Sequence, residues 1–193
     1  GFVCGHLAGN LLLYVGPEAF NTYAHKLISL GPILYVVEAI LVAIFVVHFL
    51  TAIQVTWGNW KARPDRYCVS SGQGKPSRMT LSSKTMIWTG SILLIFTVIH
   101  VITFKYGPGM NEGYVMYLDG EPVRDLYRLV AESFQDPIYA GWYVFGLCLI
   151  GFHLRHGFWS AFQSLGGHHP KYTPIIYGVG VIAAIVLGFG FLS

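Results

Sequence analysis

The stretch ILYVVEAILVAIFVVHFLTAIQVTW, residues 33–57, decides the fold. It holds no Lys, Arg or Asp, and the acid Glu38 and the imidazole of His48 stand alone among apolar neighbours. As a helix rising about 1.5 Å per residue it is about 37 Å long, more than the roughly 30 Å of hydrocarbon in a bilayer. Three further runs share that character: Thr85–Tyr106, Ile138–Leu165 and Pro174–Leu192. The run Gly1–Val15 is too short to cross and reads as the remainder of a span whose first turns precede Gly1. It has neither the basic start nor the small-residue cleavage site of a signal peptide. In chain order these are segments I (1–15), II (33–57), III (85–106), IV (138–165) and V (174–192).

The composition agrees. Of 193 residues, 54% are hydrophobic and 11% charged, against about 25% charged in a typical soluble domain; mean hydropathy is +0.55. So few charges do not cover a water-soluble surface, and so apolar a chain is not disordered. Three scattered cysteines, Cys4, Cys68 and Cys148, make no disulfide framework. A net charge of +3, with no basic stripe interleaved with stacking aromatics, gives no footing for nucleic acid. The expectation is one all-α integral membrane domain over residues 1–193, a bundle of five transmembrane helices in lipid.

Asp136-Pro137 supplies an N-cap acceptor and a first-position proline for segment IV. Lys61, Arg63, Arg66, Lys75, Arg78 and Lys84 crowd the II–III connection against one acid, Asp65, whereas the I–II connection holds only Lys26. The positive-inside rule therefore predicts a cytoplasmic II–III loop and N-terminus. The III–IV connection is acid-rich, with Glu112, Asp119, Glu121, Asp125, Glu132 and Asp136. Within it, Leu126, Leu129, Val130 and Phe134 share one face of a helix over 121–134, expected either in the outer interface or as an ordinary loop helix.

Four of the eight histidines fall in four different segments: His6, His48, His100 and His153. An imidazole in hydrocarbon is costly, and one in each of four helices weakens the alternative of incidental interhelical hydrogen bonds. By helix rise His48 and His153 lie about 13–18 Å from the inner ends of their helices, and His6 and His100 about 9–13 Å from the outer ends of theirs. The four thus sort into two pairs at two depths. Zinc wants three or four protein ligands at one depth. Two per layer fit iron whose remaining ligands come from a porphyrin, and with no C-x-x-C-H motif the haem is of b type. Both axial positions would then be filled, which points to electron transfer. Gly5, Gly9, Gly151 and Gly157 lie near the ligands and either admit a flat macrocycle or serve helix packing. His156, one turn beyond His153, competes for the fourth position. His25, His168 and His169 lie in connections.

The run His153-Leu-Arg-His-Gly-Phe-Trp-Ser-Ala-Phe-Gln-Ser-Leu-Gly166 resembles the fourth helix of the cytochrome b anchor of succinate dehydrogenase and fumarate reductase, in its single-chain, five-helix, two-haem form. His6-Leu-Ala-Gly-Asn10, the lone His48 and His100, and Asp125-Leu-Tyr to Phe134-Gln-Asp-Pro137 extend the resemblance over nearly the whole chain. The family's helix IV ligand precedes a glycine by four residues, which favours His153 over His156. The resemblance implies haem ligand pairs His48/His153 near an iron–sulfur subunit and His6/His100 on the distal haem. It also implies a flavoprotein and an iron–sulfur partner on the cytoplasmic side of a bacterial inner membrane, and membrane quinone, expected to be menaquinone, as electron partner. Dicarboxylate chemistry would occur on the flavoprotein, not on this chain. Some members carry an acid two positions before the helix IV ligand; here that position is Gly151.

Haem propionates need cationic or hydrogen-bonding partners. Arg155, Trp159, Ser160 and Trp88 are candidates for the inner haem, and Lys26, Lys105 and Tyr106 for the outer. Snorkelling and the aromatic belt are the competing roles. Glu38, the acid inside a span, is a candidate for quinone-linked proton handling or else an interfacial residue bonded to Lys26. The rivals are the cytochrome b of another respiratory complex and a His-lined metal or proton transporter. The first lacks the paired-ligand helices of the bc type here; the second predicts interrupted polar helices.

Overall fold

The computed structural model describes residues 1–62, 81–167 and 169–192. Arg63, Asp65, Arg66, Cys68, Lys75, Arg78 and His168 lie outside the described residues, as does the side chain of Lys84. The helices are α1 (Phe2–Asn10), α2 (Pro17–Ile28), α3 (Pro32–Lys61), α4 (Leu81–Phe104), α5 (Leu126–Ser133), α6 (Pro137–Ser164) and α7 (Thr173–Leu192). A 3-10 turn, Leu11–Tyr14, continues α1. The strands β1 (Val115–Leu118) and β2 (Glu121–Arg124) form an antiparallel hairpin.

Four helices, in α3, α4, α6 and α7, are long and apolar enough to cross a membrane; Phe2–Tyr14 is apolar but shorter. Their bounds fall close to those the hydropathy predicts. Of the five expected spans, four are thus present among the described residues as helices of spanning length, and the first segment is an apolar helix of fewer residues. The helix junctions are set locally. Asp136 Oδ1 accepts from the Ile138 and Tyr139 amides at 2.8 and 3.4 Å, the cap that Asp136-Pro137 predicts. Pro17, Pro32 and Pro137 sit at helix starts, where a missing N–H costs nothing.

The chain enters and leaves one end of the bundle through α2, the hairpin and α5. From that capped end α3 and α6 run away, and α1 and α4 run toward it. Close packing centres on α6. A Cβ on Gly146 would stand 2.5 Å from the Phe96 ring of α4, and one on Gly180 of α7 2.9 Å from Phe158 of α6, so only glycine permits these approaches. By contrast α3 has no buried residue along its length.

The capped end differs from the sequence reading in two ways. The I–II connection is mainly helix: α2 turns Phe20, Asn21 and Ala24 inward. The fold is not purely α, because Glu121–Arg124 is a strand and the helix predicted over 121–134 begins only at Leu126. The cause is Asp119-Gly120, both at positive φ (51° and 87°), which closes a tight hairpin and pairs Leu118 with Glu121. Helix α5 packs on α2, as an ordinary loop helix would: Leu129 is buried, and Tyr127 meets Phe20 of α2 with ring centres 6.4 Å apart.

Two side chains hold this cap. Asn21, fully buried, donates to Asp125 Oδ1 at 2.7 Å and accepts from the Tyr127 amide at 2.9 Å, so it braces α2 against the start of α5. Asp125 Oδ1 in turn caps α5 through the Arg128 amide at 3.0 Å. Arg124 of β2 donates to the carbonyls of Phe104, Lys105, Gly107 and Pro108 at 2.9–3.3 Å. It thereby satisfies the acceptors that the end of α4 leaves open. Burial lowers its guanidinium from the usual value, with Glu112 opposing the shift.

Candidate functional site

Imidazoles from different helices meet twice. His6 of α1 and His100 of α4 have ring centres 5.6 Å apart with planes at 85°. His48 of α3 and His153 of α6 have centres 6.2 Å apart with planes at 80°. Two imidazoles on opposite sides of one metal, at about 2.0–2.1 Å per metal–nitrogen bond plus a ring radius each, would place their centres about 6 Å apart. Among the described residues no three His, Cys, Asp or Glu side chains gather as a metal site. The imidazoles therefore come in twos, and a metal held by either pair would take its other ligands from elsewhere.

The cap-proximal pair is set among rings. Phe2 stacks on His6 (5.7 Å, 9°) and Phe96 on His100 (6.2 Å, 17°), while Phe104 meets His100 edge-on at 5.3 Å and Phe191 of α7 lies 5.7 Å from His6. His100 Nδ1 lies 3.1 Å from the hydroxyl of Tyr143, which accepts from Tyr139 at 3.1 Å. Phe96 also borders Trp142, whose indole N–H is buried with no acceptor among the described residues.

At the cap-distal pair, His153 is half-buried and His48 exposed, because α3 stands off the bundle. His153 Nδ1 lies 3.1 Å from Thr89 Oγ1 of α4. The ring that faces His48 is that of His153; His156 lies one turn further along α6. Of the four glycines singled out in the sequence, Gly9 serves packing, since a Cβ there would stand 2.6 Å from Tyr23, and Gly151 makes ordinary contact with the Ala184 carbonyl. A Cβ on Gly5 or Gly157 would meet no described atom within 4 Å.

The proposed propionate partners disperse. Arg155 lies over the Tyr177 ring of α7 at 5.6 Å, and Trp159 is buried with its ring 6.4 Å from the same tyrosine. Ser160 is half-buried, Trp88 faces outward and Lys26 is exposed on the last turn of α2. Glu38 forms an ion pair with Lys105, not Lys26, and the Lys105 ammonium stands 5.7 Å from the Tyr35 ring and 5.2 Å from that of Tyr106. Lys105 is thus engaged by a carboxylate at the junction of α3 and α4. His25 is exposed on α2, and the His169 ring packs against Tyr172 at 5.3 Å.

Thr89, Tyr143 and Trp142 escape a reading of the sequence. A threonine, a tyrosine or a tryptophan in an apolar helix is commonplace; only the packing of α4 on α6 shows which one meets an imidazole or lies beside its neighbours. Compared with known families, curated proteins and solved structures, the chain finds no match.

Proposed function

We propose that this chain is the membrane anchor and electron-transfer subunit of a succinate:quinone or quinol:fumarate oxidoreductase, with two b-type haems. The observation that carries the reading is the pairing of four histidines from four helices, two by two, at ring separations of 5.6 and 6.2 Å. The likeness of residues 153–166 to the fourth helix of that family adds the choice of complex. On this reading His6 and His100 would hold the outer haem, and His48 and His153 the inner. Haem there would supply reversible one-electron chemistry without an open coordination position.

The residues fit such a group in further ways. The buried, unmet N–H of Trp142 lies beside Phe96, which stacks on His100, and offers a donor to an incoming polar group. Gly5, next to His6, and Gly157, four residues beyond His153, leave their backbones open to close approach. The Glu38–Lys105 pair with Tyr35 and Tyr106 offers a quinone ring both an acceptor and donors at the lipid-facing α3–α4 junction. Glu38 would hold or release the proton that accompanies quinone reduction there. The iron–sulfur and flavoprotein partners would dock on the cytoplasmic side, at the basic 61–84 connection, in a bacterial inner membrane with the N-terminus inside.

The deciding measurement is the optical spectrum of the purified protein after dithionite reduction. Sharp b-type bands at two haems per chain are expected, and their absence would overturn the reading in favour of a His-lined transporter. Partners that co-purify would identify the complex. Glu38→Gln is expected to lower quinone-linked turnover at normal haem content; unchanged turnover removes Glu38 from that role.

A further inference from the structure

On α4, Thr89 and His100 lie eleven residues apart, about 16 Å along the helix; on α6, Tyr143 and His153 lie ten apart, about 15 Å. The two helices run in opposite directions and pack together. Thr89 therefore meets His153, and Tyr143 meets His100, each at 3.1 Å. Each helix carries the histidine of one pair and the hydroxyl that touches the histidine of the other.

Thr89 Oγ1 has two partners at 3.1 Å, the Met86 carbonyl one turn back on α4 and His153 Nδ1. A threonine hydroxyl has one proton, and a carbonyl can only accept. With that proton on the Met86 carbonyl, Oγ1 is left to accept, and the proton between Thr89 and His153 is that of Nδ1. His153 is then the Nδ1–H tautomer, with a bare lone pair on Nε2. The next residue, Gly90, completes the seat: a Cβ there would stand 3.2 Å from His153 Cε1, tighter than most contacts allow. At the other pair Tyr143 accepts from Tyr139, and the partner left for its own proton is His100 Nδ1, so this hydroxyl donates to the ring and does not fix the same tautomer.

We propose that Thr89 is a positioning residue. It accepts the Nδ1 proton of His153, locks that ring, and leaves Nε2 free to bind a metal. The tautomer stands on the hydrogen bonds alone; the effect on a redox centre rests on the two-haem reading. A ligand histidine whose other nitrogen donates a hydrogen bond is a more basic ligand, and loss of such a partner typically costs about 10–100-fold in metal affinity or activity.

The test pairs two variants on the purified holoprotein. Thr89→Val should weaken retention of the His48/His153 haem by about tenfold or more, raise the midpoint potential of that haem, and leave the other unmoved; Thr89→Ser should restore it. Tyr143→Phe, which keeps the ring packing and leaves Thr89 in place, should leave the His48/His153 haem unmoved. A shift of the His6/His100 haem in Thr89→Val, no shift of the His48/His153 haem there, or no rescue by serine, would overturn the proposal. Nitrogen-15 spectra of histidine-labelled apoprotein read the tautomers with no haem present. Nδ1–H at His153 supports the positioning role even if b-type bands are absent and the haem reading has failed. Nε2–H at His153 overturns it whatever the optical spectrum shows.

Discussion

The two histidine pairs share a spacing and differ in their surroundings. His6 and His100 meet inside a wall of Phe2, Phe96, Phe104, Phe191 and Tyr143, under a cap braced by Asn21 and Arg124. His48 and His153 meet between α6 and a helix with no buried residue, and the one hydroxyl at His153 comes from Thr89. The cap-proximal pair is therefore held by the protein's own packing. The cap-distal pair depends on whatever fixes α3, because an imidazole on an unpacked helix keeps its position only if its helix does.

The largest test of that contrast removes the imidazoles. On the proposed two-haem reading, His6→Ala or His100→Ala is expected to lose the outer haem and His48→Ala or His153→Ala the inner, each halving the haem-to-protein ratio in a haemochrome assay. A His153→Ala protein that keeps both haems while His156→Ala loses one would move the ligand to His156. The cap comes next. Asn21→Ala leaves the Tyr127 amide unmet and strips a donor from Asp125, which should cost about 2–3 kcal/mol in reversible unfolding in detergent. The damage should reach the His6/His100 pair before the other; equal damage at both pairs would break the contrast.

A smaller effect comes from the wall itself. Gly146→Ala drives a methyl into Phe96, the ring stacked on His100, and should cost about 1–3 kcal/mol. Gly141→Ala, on the exposed side of α6, should be neutral or stabilise by up to about 1 kcal/mol. Thermal melts of the two variants in the same detergent compare the closed and open faces directly.

The smallest effect is at the rim of the cap. Tyr114 donates to Glu132 at 2.7 Å, and so does Arg128 at 2.7 Å, which holds the Glu132 carboxyl below its ordinary value of 4.5. A carboxylate depressed in the folded state stabilises fully above its unfolded pKa, and that contribution disappears as pH falls through the lower folded value. The amides of α5 should therefore exchange faster as pH drops below about 4.5, after correction for intrinsic rates. Glu132→Gln should flatten that dependence. The pair is exposed, so added salt should shrink the effect.

How much of this is legible in the chain follows from the range of each interaction. The spans are legible because hydrocarbon thickness acts on each helix separately, and Pro32, Asp136 and Pro137 mark their starts. The grouping of His48 with His153 and His6 with His100 is legible from depth, since helix rise converts sequence position into distance. The hairpin is signalled by Asp119-Gly120, yet the apolar period through Leu126 and Leu129 extends a predicted helix back over Glu121–Arg124. The partner of Glu38 is not legible, because Lys26 and Lys105 both lie near the same end of the chain's helices and only packing selects one.

What the sequence determined by itself is therefore the set of long apolar helices, their caps and the depth of each imidazole, because these depend on residues within a few turns of one another. Tertiary structure alone decided that Thr89 meets His153, that Tyr143 meets His100, that Asn21 joins α2 to α5, and that α3 stands apart from the core. Those contacts join residues 43–106 positions apart, and their choice depends on which glycines let two helices close and on how each helix is rotated about its axis. Rotation is a property of the packed pair, and neither helix carries it alone.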